Sequence, residues 1–92
     1  MPTVVRALTG TQHRIGDVLL GIMQTGTVDG QAVVRVQVRT EDGSYLEIPL
    51  GQSVPLGAGV LTATDIGLPT EAVRGWAMLM WTSQQERNSF WD

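Results

Sequence analysis

An all-β fold, a small antiparallel β-sandwich or partly open barrel of about six to seven strands, is what this sequence predicts, and three features predict it. Two Asp-Gly pairs, Asp29-Gly30 and Asp42-Gly43, each lie between runs of alternating apolar residues. This is the strongest short-range hairpin signal a sequence offers. Glycines punctuate the remaining apolar runs, and the run Trp76 to Trp81 is apolar at both parities, as in a strand buried on two sides.

The two turns define a three-stranded meander from Val18 to Leu50, whose register follows from keeping apolar residues on one face. A two-residue loop at Asp42-Gly43 sets Val38 against Glu47 and Val36 against Pro49, mixing apolar with polar. A three-residue loop, Glu41-Asp42-Gly43, instead sets Val38 against Leu46, Val36 against Ile48 and Val34 against Leu50. The same geometry at Val28-Asp29-Gly30 pairs Val34 with Gln24, Val36 with Ile22 and Val38 with Leu20. The expected core face is Leu20, Ile22, Val34, Val36, Val38, Leu46, Ile48 and Leu50. The opposite, solvated face carries Arg35, Gln37, Arg39, Tyr45 and Glu47.

The flanking segments must supply a second layer, because one sheet cannot bury its own apolar face. Thr3 to Leu8 reads as a first strand ended by Thr9-Gly10-Thr11. A loop with His13, Arg14 and Gly16 leads into the meander. Beyond Gly51-Gln52, Ser53 to Leu56 is a short strand that Pro55 confines to an edge. Gly57-Ala58-Gly59 turns the chain into a strand from Val60 to Ile66. After Gly67-Leu68-Pro69 two readings compete. A helix would use Thr70 as N-cap and place Val73, Trp76, Ala77 and Met80 on one face. A strand from Arg74 to Thr82 is preferred, since a helix would expose tryptophan. Residues 1–82 are then one β domain, and residues 83–92 are a polar tail carrying Phe90-Trp91.

Composition bounds the function. Ninety-two residues with 42% hydrophobic and 16% charged content make one globular domain with a modest core. No cysteine is present, so disulfides and thiolate metal sites are excluded, and a reducing, cytoplasmic setting is expected. The opening residues lack the pattern of a secretory signal, and no apolar run approaches membrane-span length. All cations are arginines, scattered along the chain, and a formal charge of -3 argues against tracking a phosphate backbone.

Chemistry is sparsely signalled. His13 is the only histidine; acid-base catalysis would need it beside Asp17 and a nucleophile such as Ser44 or Ser53, which the sequence does not bring together. The Asp-Gly pairs lack the further acidic ligands of a calcium loop, and Gly51, Gly57 and Gly59 precede no Lys-Ser/Thr of a phosphate loop. No cofactor is implied. The aromatics are the clearer clue: Trp76, Trp81, Phe90 and Trp91 cluster at the end of the chain, and aromatics are enriched at interface hot spots. Trp76 and Trp81 have opposite strand parity, so at most one faces the main core.

The segment Leu50-Gly51-Gln52-Ser53-Val54-Pro55-Leu56-Gly57, followed by Val60-Leu61-Thr62, resembles a family of small β-rich bacterial proteins of unassigned function. The resemblance covers about a quarter of the chain. It implies an all-β fold closed by an aromatic-bearing strand, here Trp76 to Trp81, and implies no activity.

The sequence therefore points to a non-enzymatic, self-associating interaction module. Its contacts would be made through Trp76, Trp81, Phe90 and Trp91 or through a sheet edge, with neither nucleic acid nor membrane as partner. Two alternatives stand beside it: a small-molecule-binding barrel lined in part by Met23, Met78 and Met80, and an enzyme with a His13/Asp17 loop site.

Overall fold

The structure, a computed structural model, describes residues 3–15, 18–39 and 43–83. Eight strands are present: β1 (Thr3–Leu8), β2 (Gln12–Ile15), β3 (Val18–Val28), β4 (Gln31–Val38), β5 (Tyr45–Pro49), β6 (Ser53–Leu56), β7 (Gly59–Gly67) and β8 (Trp76–Ser83). They form two open, antiparallel four-stranded sheets packed as a β-sandwich. Sheet 1 has the order β1-β8-β7-β6 and sheet 2 the order β2-β3-β4-β5. The expected meander is β3-β4-β5, and β6 with its Pro55 is an edge strand. The loop expected around His13 is instead β2, paired with the start of β3 from Gln12↔Gly21 to Ile15↔Val18.

The first hairpin corrects the expected loop. Asp29 and Gly30 both have positive φ, 52° and 81°, so they form a two-residue turn of the mirror-image type that suits strand twist. Val28 then pairs with Gln31, and Val34 meets Thr25 rather than Gln24. A bulge between Ile22 and Gln24 absorbs the offset, so Ile22↔Val36 and Leu20↔Val38 pair as expected. The extra residue sits at Met23 in the strand, not in the turn.

The second hairpin is shifted by two residues from expectation: Val36 pairs with Leu46 and Val34 with Ile48. An even shift keeps every side chain on its face. The loop is wider than three residues, closed by the Val38 N–H donating to the Ser44 carbonyl at 2.7 Å. Leu50 therefore falls beyond β5 and is 39% exposed, not in the core.

The core is built from both inner faces. Ile15, Leu20, Ile22, Val34, Val36 and Ile48 of sheet 2 meet Ala7, Leu56, Leu61, Ala63, Ala77 and Leu79 of sheet 1, all buried. Val38 and Leu46 pack at its margin. A second bulge, between Ala63 and Asp65, turns the parity of β7 so that Ile66 faces inward and Gly67 outward. The buried Thr25 hydroxyl, 4% exposed, donates to the Gly67 carbonyl at 2.9 Å and ties the two sheets together.

The last strand confirms the strand reading of the Trp76 region, starting at Trp76 and ending at Ser83. Thr70 caps a bend rather than a helix: its Oγ1 accepts the N–H of Val73 at 3.0 Å.

Candidate functional site

The two tryptophans of β8 point to opposite faces, as their parity requires. Trp81 faces inward, packs against the core, and its indole N–H donates to the Leu56 carbonyl at 3.0 Å. Its ring also occupies the space a side chain at Gly59 would need. Trp81 thus packs against the core while staying half-buried. Trp76 faces outward, lies against its registered partner Gly67, and carries the Arg6 guanidinium 5.1 Å from its ring centroid. Phe90 and Trp91 lie outside the described residues.

Around Trp76 the outward face of sheet 1 is largely apolar. Registered residues share a face, so the rows across β1, β8 and β7 are Leu8-Trp76-Gly67, Arg6-Met78-Asp65 and Val4-Met80-Thr62, with Thr82-Val60 beyond. Val4 and Leu8 are 57% and 42% exposed. Only one row carries charge, and there a cation and an anion flank Met78. Nothing among the described residues covers this face. The sequence singles out Trp76 as a contact residue and Met78 and Met80 as pocket-lining residues, but not Val4, Leu8 and Val60. The signal was available in the outward parity of β8, which is as apolar as the inward one.

The outward face of sheet 2 differs. Arg35 Nη2 and Glu47 Oε1 form an ion pair at 2.8 Å between half-exposed side chains. With Gln24, Gly26 and Val33 they line a shallow, open hollow. Met23 lies on this side, 45% exposed, whereas Met78 and Met80 lie on the far side of the sandwich. The three methionines therefore line no common pocket.

His13 is held locally. The Thr11 hydroxyl donates to the Leu8 carbonyl at 2.6 Å and lies within hydrogen-bond distance, 2.9 Å, of the His13 ring Nε2. Asp17 lies outside the described residues. Among the described residues no three His, Cys, Asp or Glu side chains converge as metal ligands, and no helix is long and apolar enough to cross a membrane.

One sheet edge also stands out. Thr9 N–H donates to the Gly75 carbonyl at 2.9 Å, continuing the β1/β8 register. By antiparallel alternation Thr3, Val5 and Ala7 then bond to β8, while the N–H and C=O groups of Val4, Arg6 and Leu8 point away from it. The Leu8 carbonyl accepts from Thr11. The Val4 and Arg6 groups face the open edge. The other edge strands are blunted, β6 by Pro55, β5 by Glu47 and Pro49, and β2 by its four-residue length.

Compared with known proteins, the chain matches no protein-family model, no curated protein and no solved structure.

Proposed function

We propose that this chain is a non-enzymatic interaction module that binds a protein partner through the outward face of sheet 1. The observation that carries this reading is β8 itself. It is a central strand with Ala77, Leu79 and Trp81 directed into the core and Trp76, Met78 and Met80 directed outward. A strand apolar on both sides is ordinarily covered on both sides, and large contiguous apolar patches mark interaction surfaces. A reducing compartment such as the cytoplasm suits a chain without cysteine.

The test is solution mass and partner capture with the full chain beside its Met80→Lys variant. The charged variant keeps its fold and loses association. Equal association by both proteins would remove the basis of the reading.

A second reading uses the β1 edge, which is favoured by the outward Val4 and Arg6 backbone groups. An added antiparallel strand would bond there. Val4→Pro removes one outward N–H without touching the β8 ladder, so on this reading it abolishes association while Met80→Lys does not.

A further inference from the structure

We infer that the partner on the outward face of sheet 1 is a second copy of this chain, related by a two-fold axis running close to β8 through Met78. This inference rests on the functional reading above and adds the occupant and its geometry.

Arg6 on β1 and Asp65 on β7 flank Met78, separated by two strand spacings, or about 9.6 Å. Among the described residues neither has an ion-pair partner. Arg6 lies over Trp76, and Asp65 Oδ1 accepts the neighbouring Ile66 N–H at 3.0 Å. A cation and an anion on either side of an apolar centre would be poor company for a purely apolar partner, which would desolvate both without pairing them.

A two-fold axis along β8 resolves this. It stacks β8 on β8, β1 of one copy over β7 of the other, and leaves each row on its own row. Arg6 of each copy then lies over Asp65 of its partner, twice by symmetry, while Met78 meets Met78 and Met80 meets Met80. A two-fold axis perpendicular to the strands and through the same residue would set Arg6 over Arg6 and Asp65 over Asp65, because that operation reverses rows but keeps each strand on itself. The charge arrangement thus favours the stacking about an axis along β8 over the one about an axis across it. The contact is isologous, as closed dimers require.

Size sets the strength. About this axis β1, β8 and β7 overlap β7, β8 and β1 of the second copy while β6 overhangs, so three strands by four rows give about 400 Å² of projected sheet, well below the ~800 Å² per partner of standard interfaces. Association is therefore weak and dissociates on dilution.

The experiment is a charge-swap cycle read by sedimentation equilibrium over a dilution series of the full chain. Arg6→Asp and Asp65→Arg, each alone, weaken dimerisation roughly tenfold or more by placing like charges together. The double variant recovers it, and so does an equimolar mixture of the two single variants. Circular dichroism confirms that each variant folds. A parallel arm uses Met78→Cys and Met23→Cys, each then the sole cysteine, with a short bismaleimide: the first cross-links to a dimer and the second does not. A monomer at every concentration, or single variants that dimerise like the parent, overturns the two-fold dimer. If the parent is monomeric but Met80→Lys loses capture of another protein, only the choice of occupant fails. If Met80→Lys also leaves capture and mass unchanged, the functional reading fails as well.

Discussion

The indole of Trp76 lies directly on the backbone of Gly67, its cross-strand partner at the end of the β7-β8 ladder. A methyl group at Gly67 would collide with Nε1 and Cε2 of that ring. An aromatic laid across a strand glycine covers backbone that would otherwise be bare. Here it also flattens Trp76 against the sheet, so the ring becomes part of the outward surface.

Replacing Gly67 by alanine must displace that ring. Overpacking of this kind costs about 1–3 kcal/mol, so the melting temperature of Gly67→Ala falls by several degrees or more, and tryptophan emission shifts to the red. An unchanged melting curve would show that the ring does not hold this position.

Gly26 offers the opposite case on β3. A Cβ there meets nothing within 4 Å, and its φ is not positive. Gly26→Ala is expected to stabilise by about 0.4–1 kcal/mol through the unfolded chain. Gly30→Ala also meets open space but at φ +81°, so it destabilises by about 1 kcal/mol through backbone strain alone. Urea denaturation of both variants checks the sign reversal.

Thr25 links the sheets through one buried hydroxyl. Thr25→Val keeps the shape but leaves the Gly67 carbonyl without that donor, at a cost of about 1–3 kcal/mol. Thr25→Ser retains the bond and loses less. Equal losses for both variants would assign the effect to packing rather than to the hydrogen bond.

The Arg35–Glu47 pair is a contrasting control. It joins half-exposed groups at 2.8 Å, and exposed pairs contribute about 0–1 kcal/mol. Glu47→Gln therefore leaves denaturation midpoints nearly unchanged, and what change there is shrinks with added salt.

How much of this was legible in the sequence differs by element. Leu20, Ile22, Val34, Val36 and Ile48 were placed on the core face correctly, because strand parity survives an error of two residues in register. The Met23 bulge was not legible. A three-residue loop and a two-residue turn followed by a bulge give the same Ile22↔Val36 pairing, and they differ only near the turn, in the positive φ of Asp29 and in the pairs Val28↔Gln31 and Thr25↔Val34. β2 was missed because Gln12-His13-Arg14-Ile15 has one aliphatic residue and owes its strand form to pairing with β3. The opposite facing of Trp76 and Trp81 followed from parity. That Gly67 sits beneath Trp76 did not, since the bulge at Thr64 decides which face Gly67 occupies. The apolar outward face was half visible, as a β8 sequence too apolar for a strand covered on one side.

The most direct test of the central claim, that the outward face of sheet 1 is a self-interface, is a methionine-methyl NMR dilution series on the full chain. Met78 and Met80 lie on the proposed interface and Met23 lies on the opposite side of the sandwich. The account predicts that the Met78 and Met80 methyl signals move together as concentration falls while that of Met23 stays fixed. Stationary Met78 and Met80 signals across a range in which the mass changes, or movement of Met23 alone, would contradict it.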